Sequence, residues 1–204
     1  MRRMLARMHA LLGIVPLGLF LAYHLERLWP AVEGRDAWLE RTGIDPSGRA
    51  LVALVLASLA AHAVLGGVRS WRARMAPHDR SQSAQRLRIL QAVTGTMVLC
   101  FVGYHLRQVW NPGPAPERGA LVVYGVLWRE LGRPIDVGIY VVGVSAVAFH
   151  FGHGLSRVPE TFGLNRSART LLWSRLIAGG LGFALWAALL QVLARFALGQ
   201  SVVP

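Results

Sequence analysis

Four histidines fall in long apolar segments of the sequence, and their surroundings sort them into two pairs. His24 and His105 each stand in a Tyr-His-Leu triplet, five residues before a tryptophan that closes the apolar run. His62 and His150 are each followed by glycine four residues later and by arginine seven residues later. Histidine projecting into a helix bundle is a common axial ligand of haem iron. Two matched pairs therefore predict two haems, each held between two histidines.

The segments that carry these histidines are predicted to cross a membrane. The 204-residue chain is 54% hydrophobic and 16% charged, with a mean hydropathy of +0.43. Five apolar stretches are long enough to cross a hydrocarbon layer of roughly 30 Å. Backbone in lipid has to satisfy its own hydrogen bonds, which favours helices. The predicted fold class is all-α, with transmembrane helices at about 10–29, 50–69, 89–109, 135–156 and 173–197.

The basic residues are unevenly distributed between the predicted loops. The net charge is +12, and every basic residue is an arginine. Thirteen of the 22 arginines lie on the side of the N-terminus and of the 70–88 and 157–170 loops, against two acids, whereas the other side has nine against eight. Positively charged loops stay inside, so we expect a cytoplasmic N-terminus and an outside C-terminus. This distribution argues against nucleic acid and favours contacts to anionic lipid or to a cytoplasmic partner.

The topology gives each histidine a depth. His24 and His105 lie about five residues, or roughly 8 Å, from the outer ends of the first and third helices. His62 and His150 lie roughly 18–21 Å below the outer ends of the second and fourth. We therefore expect one four-helix bundle with an outer and an inner histidine pair, a peripheral fifth helix, and a single domain over 1–204. The outer connections 30–48 and 111–134 are expected to be linkers. The first helix is too long for the core of a signal peptide and is expected to be retained.

Alternative uses of the same residues have to be weighed. Zinc is less favoured, because no cysteine or carboxylate joins either pair. His153 follows His150 by three residues and is an alternative ligand, but only His150 has the same spacing to a glycine as His62. Gly13 and Gly95 fall at the inner level, where a missing side chain would give a porphyrin edge room. Taken alone, they are at least as compatible with ordinary packing of membrane helices.

Nearly the whole chain resembles a known family, the single-chain, five-helix, di-haem cytochrome b subunit of succinate:quinone oxidoreductases and quinol:fumarate reductases. The similar stretches are 7–13 leading to 23–25, 89–95 leading to 104–106, 62–66, and 149–155. The resemblance implies that His24 and His105 hold the distal haem, and that His62 and His150 hold the proximal one. This chain has His153 where the family has a small or amide residue.

The resemblance also implies a function. Such subunits anchor a flavoprotein and an iron–sulfur protein at the cytoplasmic face of the bacterial inner membrane. They relay electrons through two b haems between the iron–sulfur clusters and a membrane quinone, usually menaquinone in the five-helix form. This chain has no dinucleotide fingerprint and no cysteine set for a cluster. We therefore expect the membrane subunit of an enzyme whose dicarboxylate site lies in another chain.

Further polar residues are candidates for contacts to these cofactors. Glu40 and Asp45 could exchange protons with a quinone near the outer haem, or could be solvated loop charges. The alternative place for a quinone is the inner end, around His9, Arg88 and Gln91. Haem propionates attract basic side chains. The candidates for that contact are His9, Arg27, Arg88, Arg107 and Arg157.

Two rival classes remain compatible with the sequence. One is the cytochrome b anchor of another quinone-linked enzyme, of the formate dehydrogenase or nitrate reductase type. Ligands on four consecutive helices argue against it. The other is a haem-free transporter or proton-relay protein, in which the buried histidines would carry protons.

Overall fold

The computed structural model describes residues 2–41, 46–74, 82–109, 119–164 and 167–198. All regular structure within these ranges is helical. The helices are α1 (Arg2–Leu28), α2 (Pro30–Glu33), α3 (Arg35–Arg41), α4 (Pro46–Arg74), α5 (Gln82–Val109), α6 (Gly119–Leu131), α7 (Pro134–Ser156), α8 (Val158–Phe162) and α9 (Ala168–Leu198).

Five of these helices, α1, α4, α5, α7 and α9, are long and apolar enough to cross a membrane. The all-helical membrane fold and the five predicted segments are thereby confirmed. Several helices extend beyond the apolar stretch, most clearly at the arginine-rich ends of α1, α4 and α5. Arginine is a good helix former and can reach from the membrane boundary to water, so the helix continues where the hydropathy falls.

The four histidine-bearing helices form two closely packed pairs. α1 packs along α4, and α5 packs along α7, in each case two consecutive spanning helices. Contacts between the pairs, from α1 to α7 and from α4 to α5, are much sparser. The two pairs therefore face each other across the space toward which the histidines project.

The fifth spanning helix, α9, packs against α7, with which it makes the most extensive helix contact in the described chain. A Cβ atom at Gly152 would lie 3.2 Å from the Cα atom of Gly182 and 3.1 Å from the carbonyl oxygen of Ala178. Small residues four apart on both helices, Ala148 with Gly152 and Ala178 with Gly182, let the backbones approach. The predicted fifth helix is thus outside the histidine bundle but tightly attached to it.

The described parts of the outer connections are helical, whereas the sequence predicted linkers. They contain α2, α3 and α6, and their apolar side chains join the outer ends of α7 and α9. We call this group the outer cluster; it comprises Ala31, Trp38, Tyr124, Leu127, Leu131, Tyr140, Val192, Leu193 and Phe196. Short helices gain stability mainly from such burial, which a local sequence pattern does not reveal.

Candidate functional site

The structure brings the four predicted histidines together as two facing pairs. The ring centroids of His62 and His150 are 6.1 Å apart, with the planes at 83°. Those of His24 and His105 are 6.0 Å apart, with the planes at 78°. Each inner histidine lies sixteen residues after the first residue of its helix, and each outer one lies four residues before the last. The two helix pairs therefore repeat one arrangement.

Backbone carbonyls hold the inner imidazoles. The Nδ1 atom of His62 lies 2.9 Å from the carbonyl oxygen of His9, and that of His150 lies 3.1 Å from the carbonyl oxygen of Gln91. A longer contact of 3.4 Å joins His150 Nδ1 to the Thr94 hydroxyl, which donates to a backbone carbonyl of its own helix. An imidazole whose Nδ1–H donates to a carbonyl keeps the Nε2 lone pair free for a metal.

Gly13 and Gly95 make room for these two rings. A Cβ atom at Gly13 would lie 2.5 Å from His62 Cε1, and one at Gly95 would lie 2.8 Å from His150 Cε1. Real Cβ atoms do not approach so closely, so a side chain at either position would displace the imidazole. The sequence placed both glycines at the inner level. The space beside each glycine was predicted to admit a porphyrin edge. In the structure it is filled by an imidazole from the neighbouring helix of the same pair.

The glycines four residues after the inner histidines have a matching explanation. A Cβ atom at Gly66 would lie 3.0 Å from Nε2 of His9, and one at Gly154 would lie 3.6 Å from Nε2 of Gln91. The same two residues, His9 and Gln91, supply the carbonyls that hold the inner imidazoles. The glycine four residues after each inner histidine thus leaves room for the side chain of His9 or Gln91. The backbone carbonyl of that same residue accepts the hydrogen bond from the histidine.

His9 and Gln91 use their side chains differently. The ring of His9 stacks on His62 with centroids 4.0 Å apart, and its Nδ1 atom accepts a hydrogen bond of 3.0 Å from Arg69. The amide of Gln91 donates to the His150 carbonyl at 3.1 Å. On the α1 and α4 side the inner imidazole is therefore covered by a second ring.

His153 binds Gln91 on α5, the helix that packs against its own helix α7. Its Nδ1 atom lies 2.8 Å from the Gln91 side-chain oxygen, and its ring stacks on Phe149 at 5.8 Å. Because His153 is engaged in this way, while His150 faces His62, the geometry favours His150 as the inner residue of α7.

Aromatic rings support the outer histidines. Phe20 stacks on His24 with centroids 5.1 Å apart, and Phe101 stacks on His105 at 6.0 Å. Each phenylalanine precedes its histidine by four residues, one helical turn, so both lie on the same helix face. This repeated Phe-x-x-x-His spacing is a signal of the outer support that the sequence itself contains.

Polar side chains also hold the Nδ1 atom of His105. Its Nδ1 atom lies 3.0 Å from the Tyr140 hydroxyl, and Tyr140 donates to the Gln108 side-chain oxygen at 2.8 Å. The Gln108 amide donates to the Tyr104 hydroxyl at 2.9 Å, and Tyr104 donates to Asp136. We call Tyr104, Gln108, Asp136 and Tyr140 the His105 network. Its members on α7 lie about 30 residues away in sequence, and no local pattern could have linked them to His105.

Comparison with known proteins decides between the classes left open by the sequence. The chain is 33% identical to the succinate dehydrogenase cytochrome b558 subunit of Bacillus subtilis (strain 168) over 168 residues, 80% of this chain and 82% of that protein. The chain belongs to the succinate dehydrogenase cytochrome b family. No family model and no solved structure matches it significantly. The chain is therefore a membrane subunit of an oxidoreductase complex, and the rival classes lose their support.

The basic candidates of this cytochrome b subunit have different surroundings. Arg88 has a buried Nε atom without a hydrogen-bond partner among the described residues. Arg157 pairs with Glu160 at 3.4 Å. Arg107 is exposed and Arg27 is half-buried. Among these four arginines, Arg88 thus has a buried Nε–H group for which a bound ligand could supply the acceptor.

Of the two carboxylates predicted to exchange protons with a quinone, the structure describes one. Glu40 is an exposed residue of α3. Asp45 lies outside the described residues. No group of three or more His, Cys, Asp or Glu side chains forms a metal-ion site within the described ranges, so each histidine pair stands without a third such ligand.

Proposed function

We propose that this cytochrome b subunit holds two b haems, one between His24 and His105 and one between His62 and His150. The observation that supports this most directly is the separation of the facing rings, 6.0 Å and 6.1 Å. A metal bound by two opposed imidazole nitrogens, each at about 2.0–2.1 Å, holds the ring centres about 6 Å apart. The residues present therefore fit the group.

The protein's part at the inner level is to fix the two ligands. The carbonyls of His9 and Gln91 accept the Nδ1–H groups and so leave the Nε2 lone pairs available as ligands. Bound haem b supplies reversible one-electron chemistry at its iron. The buried Nε of Arg88 supports a role in binding a propionate. His9 remains a proposed propionate contact. Arg27, Arg107 and Arg157 remain proposed propionate contacts.

The two levels suit a relay across the membrane. The ring of His62 lies on Gly13, eleven residues before His24 on α1. The ring of His150 lies on Gly95, ten residues before His105 on α5. These intervals correspond to roughly 15–17 Å of helix, about half of a hydrocarbon layer of roughly 30 Å. Electrons would thus pass between the iron–sulfur clusters of a partner at one face and a quinone toward the other.

The arginine distribution supports the orientation and the partners of this proposal. The N-terminus and the loops at the inner end would face the cytoplasm of a bacterium, with the C-terminus outside the inner membrane. A flavoprotein and an iron–sulfur protein would bind at this basic face and carry the dicarboxylate site. At the inner end Glu160 lies between Arg157 and Arg175, at 3.4 Å and 3.6 Å, so part of the positive charge remains for a partner or for anionic lipid.

The complex itself provides the test of this relay. Extraction with a mild detergent should yield the chain together with flavin and iron–sulfur signals, and succinate should reduce both haems. Dithionite gives the fully reduced reference spectrum. A preparation whose haems respond to dithionite but never to succinate, or a chain that always purifies without flavin, would contradict the proposed partners.

We place the quinone, which we propose to be menaquinone, near the outer histidine pair. Two haem levels are needed only if electrons have to reach the side opposite the partner. Glu40 and Asp45 would exchange protons between the quinone oxygens and the outer aqueous phase. In the double variant Glu40→Gln with Asp45→Asn, quinone-coupled turnover should fall by about 10²–10⁴-fold, the usual range of general acid–base effects.

A matched control separates proton exchange from a loss of surface charge. Asp36 is an exposed carboxylate on the same helix as Glu40, so Asp36→Asn should leave turnover unchanged. Both haem spectra and dye-coupled dehydrogenase activity should persist in all variants. Full quinone activity in the double variant would show that Glu40 and Asp45 are solvated loop charges, and would direct the search to His9, Arg88 and Gln91 at the inner end.

A further inference from the structure

The two helix pairs hold the Nδ1 atoms of their inner imidazoles in the same way, but a hydroxyl at the outer level is found in one pair. Both inner imidazoles donate from Nδ1 to a backbone carbonyl. At the outer level the Nδ1 atom of His105 meets the hydroxyl of Tyr140, ten residues before His150 on α7. The residue ten positions before His62 on α4 is Val52, which has no hydroxyl. The α5 and α7 pair therefore has a hydroxyl at this position, and the α1 and α4 pair does not.

The direction of the hydrogen bonds around Tyr140 is determined by its partners. Tyr140 is only 6% exposed, and its hydroxyl donates to the Gln108 side-chain oxygen at 2.8 Å. Since this donor is used, the hydroxyl oxygen is left to accept the Nδ1–H of His105 at 3.0 Å. His105 then keeps its Nε2 lone pair toward His24.

The charged and titratable groups around this hydroxyl are few and lie on three helices. α5 contributes Tyr104, next to Gln108, and α6 contributes Glu130, 3.4 Å from the Gln108 amide. α7 contributes Asp136, which Tyr104 and Arg133 both hydrogen-bond. The described neighbours on α9 are apolar residues of the outer cluster. The hydroxyl is thus held by side chains alone.

We propose that Tyr140 is a positioning residue for the outer haem: its hydroxyl orients the imidazole of His105 and sets how strongly that ligand donates electrons. The inference rests on the proposed function, because it concerns the haem that His105 would hold. A hydrogen-bond acceptor at Nδ1 raises the basicity of a ligating imidazole. A more basic axial ligand stabilises oxidised iron, so the hydroxyl lowers the reduction potential of the outer haem.

The test is a redox titration of the purified complex carrying Tyr140→Phe, followed by absorbance and electron paramagnetic resonance. Both haems should remain bound. The reduced-to-oxidised ratio of the outer haem at a fixed potential should rise about tenfold, equivalent to ~59 mV for one electron. The inner haem should not respond, because its ligands donate to the backbone. The variant His105→Ala identifies which signal belongs to the outer haem.

Tyr124→Phe is the matched control. Tyr124 is another buried tyrosine of the outer cluster, 3% exposed, and burial raises the pKa of its hydroxyl. It packs against Trp38 and Phe196 rather than against His105. Removing its hydroxyl should leave both potentials unchanged.

The outcomes separate this inference from the proposed function. An unchanged outer potential in Tyr140→Phe, or an equal shift in Tyr124→Phe, overturns the positioning role while both haems remain in place. A wild-type chain with fewer than two haems overturns the proposed function instead. If Tyr140→Phe does not assemble, Gln108→Leu decides: it removes the acceptor of the Tyr140 hydroxyl and should shift the outer potential in the same direction by a smaller amount.

Discussion

The inner and outer histidine pairs have nearly equal ring separations but are held by different parts of the chain. At the inner level, backbone carbonyls fix the imidazoles and two glycines receive them. At the outer level, phenylalanine rings and the Tyr140 hydroxyl do this work. Backbone acceptors persist when side chains change, whereas side-chain acceptors do not. Substitution of a side chain can therefore remove the acceptor of an outer imidazole, whereas the acceptors of the inner imidazoles do not depend on side-chain identity.

Single histidine variants should have the largest effects and test whether the two levels are independent. His24→Ala or His105→Ala should remove the outer haem and leave the inner one, since the facing ring loses its partner across the bundle. His62→Ala or His150→Ala should remove the inner haem alone. Haem content and visible spectra of each purified variant measure this. Loss of both haems from every variant would mean that the two levels form one cooperative site.

The glycines sharpen the comparison at the inner level. Gly95→Ala would place a Cβ atom 2.8 Å from His150 Cε1 and displace the ring. We expect the affinity for the inner haem to fall by about 10–100-fold, the usual effect of disturbing the groups that orient a metal ligand. The outer haem should be unaffected. Gly103→Ala on the same helix is the control, because a Cβ atom there meets nothing within 4 Å. Equal haem content in both variants would show that Gly95 is only a packing residue.

The smallest effect is expected at His153. Its ring binds the Gln91 side chain, while the Gln91 carbonyl holds His150. His153→Ala should therefore keep both haems and shift only the potential of the inner one, measured by redox titration. If His153→Ala loses the inner haem while His150→Ala keeps it, the assignment of the ligand on α7 is wrong.

The sequence was sufficient for the spanning helices and for the pairing of the histidines. Hydropathy marks segments of membrane length, and histidines at matched depths on consecutive helices have to face one another if the helices form a bundle. The depth of two glycines also followed from helix periodicity. Gly13 and Gly95 lie three turns from His24 and His105, which places them level with the inner histidines.

Features that depend on contacts between distant segments could not be predicted in the same way. The helix α6 and the outer cluster are stabilised because apolar residues of the outer connections pack against the outer ends of α7 and α9. The bond from His105 to Tyr140 joins two spanning helices at residues 35 positions apart. Neither contact has a local sequence pattern. By contrast, the stacking of Phe20 and Phe101 one turn before the outer histidines was readable from their spacing.

The haem content of the purified chain tests the two facing histidine pairs most directly. A pyridine haemochrome assay, normalised to the amount of the subunit, should return two b haems per chain. One haem or none per chain would contradict it.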